Sequence, residues 1–582
     1  MAGLLSIIQS MLSQIPQESL PVLVVTFIII CLTTRFISRN TVHSAEHTSA
    51  NGARKAPAVP YWIPYFGHIP QLAFDSDTFL AGLRKLYPGG AFSLNLFGGT
   101  HTVIYKPGLV SALDNLPSHI ADGHAAEKHL MKSNFGYPGS RADMETYDKM
   151  HGDLTLQYEK LVSESALKQM VERTVHRLRH NIAEFVTFND SEVDQTVWER
   201  TADARTVEDA KGEVAVEADL FDLVRNFMAM TANVSLFGTD FVENYPDFWE
   251  HLWMFDEGFL VLAMDLPGIL PIGKAIRARR GKYEVMRCLR EFELALDRDR
   301  EGEHPVPEWS DLDNVSPLVQ GRLDEVYRKH NMTIRQRTAC DFELAWAMNA
   351  NSNPLVFWML WRIYSDAVLL ARIREEIETY MVLEKPALGF GAAFNAALRI
   401  ESIDTDGLLN KCPFLKAAYL ETLRLDVGAW SLKAIREDTI ISDKEHDTAE
   451  KLLLPGGTYA LGTHELHHMD PDAFEDPTDW RIHRHIKWTA ANKKGEKEPV
   501  VDSGIISPYS GGVSMFKGQQ FAVTEILSFS AAIIAMYDMQ PAGGGPWKLP
   551  TQARGAGTKR PISSTRVQIK SRVLPAKMAL QV

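Results

Sequence analysis

The sequence predicts a mainly α protein with small β-sheets, one large domain standing behind an N-terminal transmembrane helix. Three observations predict it. Helical periodicity dominates from about residue 150 to 440, strand and turn signals lie on either side of that stretch, and sixteen uncharged residues, SLPVLVVTFIIICLTT, sit near the N-terminus. A length of 582 residues allows several domains, but no Gly/Ser-rich or charged linker interrupts residues 60 to 582, so a single large domain is expected there.

Composition narrows the function. Hydrophobic residues make up 45% and charged residues 23%, the balance of a chain that buries a core rather than staying disordered. The net charge of -13 leaves no basic surplus to neutralise a phosphate backbone, which excludes nucleic acid as the expected partner. The four cysteines, Cys31, Cys288, Cys340 and Cys412, form no CxxC pair and offer neither a disulfide framework nor a cysteine zinc site.

The apolar run lies between Glu18 and Arg35. A helix needs roughly 20 residues to cross the hydrocarbon layer, and Arg35, Phe36 and Ile37 supply the missing turn. Residues 1 to 17 carry no Lys or Arg, as a cleaved signal peptide would, so a retained anchor over 19–37 is expected, with 1–18 lumenal. Arg35, Arg39, Arg54 and Lys55 come after the span and place the remainder in the cytosol by the positive-inside rule. The sequons at Asn189, Asn233, Asn314 and Asn331 are then expected to stay unmodified.

Residues 38–58 read as a linker and the start of a hinge, and 59–582 as the globular domain. Pro57, Pro60, Pro64 and Pro70 stiffen the entry. Residues 91–106 read as two strands around a Gly-Gly turn, and 153–186, 216–236, 334–366 and 405–425 as helices. Strand signals return in LLLPGGTYAL and TRVQIKSR.

Within KCPFLKAAYLETLRL, Glu421 and Arg424 stand three apart on one helical face among apolar neighbours. A buried pair of this kind needs a further partner, and Arg484, after the loop DPDAFEDPTDW, is the candidate. A Gly-rich segment, ISPYSGGVSMFKGQQFAVTEIL, then opens into a helix. Taken in this order with the anchor and proline hinge, these segments resemble the cytochrome P450 family over nearly the whole chain. The resemblance is to its fungal membrane-bound branch, similar to steroid hydroxylases and prostacyclin synthase, and it implies the cytochrome P450 fold, an endoplasmic reticulum membrane location and a lipophilic small-molecule substrate.

The sequence departs from the family at one position above all. In the family, a cysteine in this loop gives haem iron its axial thiolate. Here Tyr509, Gly511, Gly512 and Gly518 keep the frame, while Phe516 stands where that cysteine falls and Gln519 where an arginine falls. Phenylalanine has no lone pair for a metal, and without thiolate the cleavage of an iron-bound O–O bond loses its main electronic driver. The expectation is therefore of no cofactor, the haem space being filled by side chains or substrate.

In the central helix the family's acid and alcohol pair is replaced by Ala350, Asn351, Ser352, Asn353 and Pro354. Pro354 cannot donate to the carbonyl of Ala350, which opens a polar notch. Asn349, Asn351 and Asn353 are the candidate catalytic residues, able to hydrogen-bond a substrate oxygen; satisfying the kinked backbone is the equally available structural use. By resemblance, prostacyclin-synthase-like relatives, which rearrange their substrate, also carry Asn where Asn351 falls. His464, Glu465 and His468 spell HExxH, but in THELHHMDPD they look like the family's short turn with His-x-Asp-Pro, and no metal is expected.

Three functions are open to such a chain. The first is a membrane-tethered enzyme that cyclises, cycloadds (Diels–Alder type) or isomerises an already oxidised lipophile, by the family's habits a terpenoid of fungal secondary metabolism, without redox chemistry. The second keeps haem with a non-cysteine axial ligand, as a monooxygenase or isomerase. The third is a non-catalytic scaffold for other cytochrome P450 enzymes on the same membrane.

Overall fold

The computed structural model describes residues 20–44, 52–161, 163–209, 211–265, 272–304, 306–384, 398–443, 451–490, 497–504, 506 and 518–573. The apolar run forms helix α1 (Leu20–Ser44), of which Pro21–Arg39 is long and apolar enough to cross a membrane, with no residue of that stretch buried in the protein. The helix continues past the expected end at residue 37, so the first part of the linker is helical.

The body is mostly helical, with two larger sheets at its edges. Strands β1 (Ala91–Leu96), β2 (Gly99–Ile104), β3 (Ala121–Asp122), β6 (Trp430–Ile435) and β7 (Tyr459–Thr463) form one sheet in the order β1-β2-β7-β6-β3. Strands β4 (Arg205–Glu208), β5 (Val214–Asp219), β8 (Tyr537–Pro541) and β9 (Arg566–Ser571) form the other in the order β8-β9-β5-β4. The parallel pairing of β2 with β7, Val103 opposite Leu461, ties the N-terminal hairpin to the chain some 360 residues later. The hairpin turn is Phe97-Gly98 rather than the expected Gly-Gly, since Gly99 already belongs to β2.

The core is a helical sandwich. Helix α2 (Leu220–Ala232) lies against α4 (Ser352–Ser365), which packs in turn on α5 (Pro413–Asp426) and α6 (Gln519–Met536). Leu355, Val356, Phe357, Trp358, Met359 and Leu360 on α4 are all at most 2% exposed, so α4 is apolar all round and buried all round. Helix α6 is apolar enough to span a membrane by composition, yet 78% of it is buried inside the protein, which makes it a core helix.

All four expected helices are broken. The 153–186 stretch comprises the end of Arg141–Gln157, a 3-10 turn at Tyr158–Leu161, Glu164–Asn181 and a 3-10 turn at Ile182–Glu184. The other three break each for a local reason. The 216–236 stretch starts as β5, where the alternation of VAVEAD puts Val216 and Ala218 inside and breaks the helical period. The 405–425 stretch is interrupted at Cys412, because Pro413 takes the first helical position of α5. The central stretch divides into α3 (Ile334–Asn349) and α4: Pro354 lies in the first turn of α4, where its missing N–H costs nothing.

Candidate functional site

The three anchoring charges meet as the sequence places them. Arg424 grips Glu421 with two bonds, Nε to Oε2 at 2.9 Å and Nη2 to Oε1 at 2.8 Å, and Arg484 Nε donates to the same Oε1 at 3.2 Å. The sequence reading missed His485, whose Nε2 contacts Glu421 Oε2 at 2.9 Å. Glu421 and Arg424 are fully buried, and Arg424 also donates to the carbonyls of His468 and Pro477 at 2.7 Å each. Burial works against the ionised carboxylate, but the bonds from Arg424 and His485 overcome it and hold Glu421 down to about 2. This network pins α5 to the loop that comes after β7.

Next to it, a cavity of about 340 Å³ lies between the α3–α4 break, α5, α6 and the ends of β6 and β7, a volume in the range of small-molecule sites. Its wall is largely apolar, with Met348, Leu423, Val427, Phe521 and Ile526 among the lining residues.

The three candidate asparagines divide at this wall. Asn351 lines the cavity, its Oδ1 accepting the Thr558 N–H at 3.0 Å. The approach is close enough that a Cβ on Gly557 would stand 2.2 Å from that Oδ1, so only glycine fits there. Asn349 instead forms a reciprocal amide pair with Asn233, at 2.8 and 3.1 Å, and also donates to the Ala345 carbonyl. Asn353 donates to the Arg225 carbonyl at 3.1 Å. The Asn349 and Asn353 amides thus hold α3 and α4 to their neighbours, while Asn351 and Ser352 form the notch at the cavity. The Asn233 sequon is buried in the same pair.

Two features of the wall were not legible beforehand. Glu525, on α6, is 6% exposed and lines the cavity together with Ser352, while its Oε2 has no partner among the described residues. Burial pushes this carboxyl up to about 8, so it is largely a neutral acid at neutral pH. The imidazoles of His464 and His468 stack at 6.0 Å, and both line the cavity. Burial drives His464 down to about 4 and His468 to about 3, keeping both neutral, and His464 Nδ1 has no partner among the described residues. Glu465 between them is taken by Arg554, with bonds of 2.8 and 3.0 Å, so the HExxH segment is a single helical turn whose carboxylate is already paired. Phe516, Tyr509, Gly511 and Gly512 lie outside the described residues; Gly518 and Gln519 open α6. No cysteine lines the cavity among the described residues, and Cys288, Cys340 and Cys412 are buried elsewhere in the core.

Comparison with known proteins places this architecture. The cytochrome P450 family model matches residues 57–563. The cytochrome P450 monooxygenase efuG of Hormonema carpetanum is 24% identical over 568 residues, 91% of this chain and 92% of that protein. The human 7-alpha-hydroxycholest-4-en-3-one 12-alpha-hydroxylase is 23% identical over 87% of this chain and 91% of its own length. The cytochrome P450 monooxygenase nodJ of Hypoxylon pulicicidum is 21% identical over 88% of each chain.

The match corrects the expectation of no cofactor: haem is the cofactor of this family. The inference from Phe516 failed because it treated the loss of one donor as the loss of the group, although the cavity is retained and the neutral imidazoles of His464 and His468 on its wall are of the donor type that haem iron accepts. The described residues therefore fit a haem with nitrogen donors at hand. Bound there, haem supplies an iron centre for oxygen or peroxide chemistry. With the apolar N-terminal helix, the Glu421–Arg424–Arg484 network and the cavity in place, the family match over residues 57–563 completes the assignment: the chain belongs to the cytochrome P450 family.

Proposed function

We propose that the protein is a haem-containing enzyme of fungal secondary metabolism, anchored by α1 in the endoplasmic reticulum membrane with its domain in the cytosol, that rearranges a lipophilic, already oxidised terpenoid by cyclisation, cycloaddition or isomerisation. The observation that carries this reading is that Glu525 and Ser352 line one largely apolar cavity. They supply a neutral carboxylic acid and a hydroxyl, with the Asn351 amide on the same wall.

The chemistry these residues support needs no electrons. The Glu525 proton passes through the Ser352 hydroxyl to a basic carbon or oxygen of the substrate. The cation so formed closes a ring or shifts a bond, and a proton lost from a neighbouring carbon returns to the carboxylate, leaving the enzyme unchanged. Asn351 orients a substrate oxygen, and holding one reactive conformer removes roughly 7 to 11 kcal/mol from a barrier in favourable cases. Phe516 at the thiolate position favours this route over hydroxylation.

A second reading has its own support. The relatives named above are monooxygenases and a hydroxylase, and in hydroxylation the same acid and alcohol would deliver protons. Electron demand separates the two. The purified full-length protein, given the lipophilic extract of source cells lacking it, should form product without NADPH or reductase; product only in their presence selects hydroxylation.

A further inference from the structure

Away from the cavity, the two helices that come after β3 bring four ionisable side chains together. His124 and Glu127 stand three apart on the helix His124–Ser133, and Asp148 and His151 three apart on the helix Arg141–Gln157, so each pair shares one face of its helix. The two faces meet. The His124 and His151 rings approach to 4.1 Å between centroids, and one ligand atom from each of His124, Glu127 and His151 lies within 4.8 Å of the other two.

The distances match the edges of a coordination tetrahedron. Glu127 Oε2 is 3.7 Å from His124 Nδ1 and 3.5 Å from His151 Nε2. Zinc bonds of about 2.0–2.1 Å to imidazole nitrogen or carboxylate oxygen put neighbouring ligand atoms about 3.4 Å apart. Such separations are too long for good hydrogen bonds, and His124 Nδ1, closed off from water, has no hydrogen-bond partner among the described residues. A buried ring nitrogen is costly to leave so unless something takes its lone pair.

The neighbours of His124 orient that nitrogen. Asp148 Oδ1 lies 2.8 Å from His124 Nε2, and the two oxygens of Asp148 accept from Lys128 Nζ at 2.7 and 2.8 Å. A carboxylate accepting the far ring N–H fixes the tautomer and leaves the near nitrogen as a donor, the support that metal-binding histidines receive. The buried Tyr147 ring stacks on His124 at 5.3 Å and fixes its plane. Burial lowers the pKa of His151 and keeps it neutral, whereas Glu127, with Asp148, raises that of His124; the same carboxylates favour any cation at this ring, a proton or a metal ion. Glu127 is 54% exposed, which gives an ion a way in from solvent.

We propose that His124, Glu127 and His151 form a zinc site, with water as the fourth ligand, that clips the helix His124–Ser133 to the helix Arg141–Gln157. Two imidazole nitrogens and one carboxylate oxygen suit zinc over calcium or magnesium, which take oxygen ligands in larger number. The cysteines and the HExxH segment have no part in it. The set is assembled from two helical turns 24 residues apart and has no motif in one dimension.

The test measures zinc on the full-length protein in detergent, stripped with a chelator and dialysed against buffered free zinc, with metal counted by mass spectrometry and haem counted separately. Expected is about one zinc per chain at micromolar free zinc, with a melting temperature above that of the stripped protein. His124→Ala and His151→Ala should each weaken zinc binding about tenfold or more and abolish the rise in melting temperature. Asp148→Asn, which leaves the three ligands in place, should weaken it by about 10- to 100-fold. His176→Ala is the control, because His176 and His180, with ring centroids 4.5 Å apart, form an exposed pair able to hold adventitious zinc. No zinc on the unsubstituted protein, or zinc held as tightly by His124→Ala and His151→Ala, overturns the site. Loss confined to His176→Ala identifies surface binding and overturns it as well. Where His124→Ala fails to fold, Glu127→Gln removes one ligand at a half-exposed position and reads the same loss.

Discussion

Glu525 on α6 and Ser352 on α4 line the same cavity, an acid and an alcohol contributed by two different helices. The acid and the alcohol that the central helix does not carry as a sequence neighbour pair are brought together in space, one from α6 and one from the first turn of α4.

This pair sets a pH dependence. With its carboxyl raised to about 8, Glu525 donates a proton below that value and loses the ability as pH rises through it. Turnover is expected to fall above about pH 8 in the unsubstituted protein. Glu525→Gln should lower turnover by about 10²-fold or more with no such limb, the usual size of a general acid effect. A pH–rate profile of both proteins checks this. Stability has the same sign. A group whose folded pKa exceeds its unfolded value gives its full contribution below the unfolded value, here 4.5, and loses it as pH rises toward 8. Urea unfolding should show the unsubstituted protein losing up to about 5 kcal/mol across that window relative to Glu525→Gln.

The Glu421 network predicts the opposite slope. Its carboxylate is held down to about 2, so its contribution is present above the unfolded value of 4.5 and is lost as pH falls toward 2. Arg424→Ala leaves Glu421 buried with one cationic partner fewer and should cost about 3–5 kcal/mol, read as lost soluble protein or a lower melting temperature.

The asparagines separate structure from chemistry. Asn349→Ala breaks the amide pair with Asn233 and strands its partner, at a cost of about 1–3 kcal/mol, with turnover per folded molecule unchanged. Asn351→Ala should cost less stability, since its partner Thr558 has other contacts near the cavity, and should change the rate or the product distribution. Melting temperature and product analysis on both variants distinguish them.

Local sequence records runs and spacings, and these decide how much was readable in advance. The apolar N-terminal helix, the hairpin and the meeting of Glu421, Arg424 and Arg484 each rest on a run or a spacing that survives in one dimension, although the helix runs past residue 37 and the hairpin turns at Phe97-Gly98. The break at Ala350–Asn351 was legible too, because Pro354 removes a donor wherever it lies. Glu525 gave no signal: in FAVTEIL it is one acid on an apolar helix, and only the fold sets Ser352, from a segment 173 residues earlier, on the same cavity wall. The division of the asparagines was hidden for the same reason, since Asn233, Arg225 and Thr558 come from distant segments.

Phe516 makes a spectroscopic prediction. Haem bound without thiolate gives a ferrous carbon monoxide complex lacking the long-wavelength band that thiolate ligation produces. Near-stoichiometric haem by pyridine haemochrome, with no such band, is expected; Phe516→Cys should restore it if the loop retains its frame.

The most direct test of the account is product formation by the purified full-length protein when electrons are withheld. With the extract of cells lacking the protein as substrate source, and no NADPH, reductase or peroxide, the account predicts a new product at the same rate as when all are supplied. Product that appears only when an electron source or peroxide is added would contradict it.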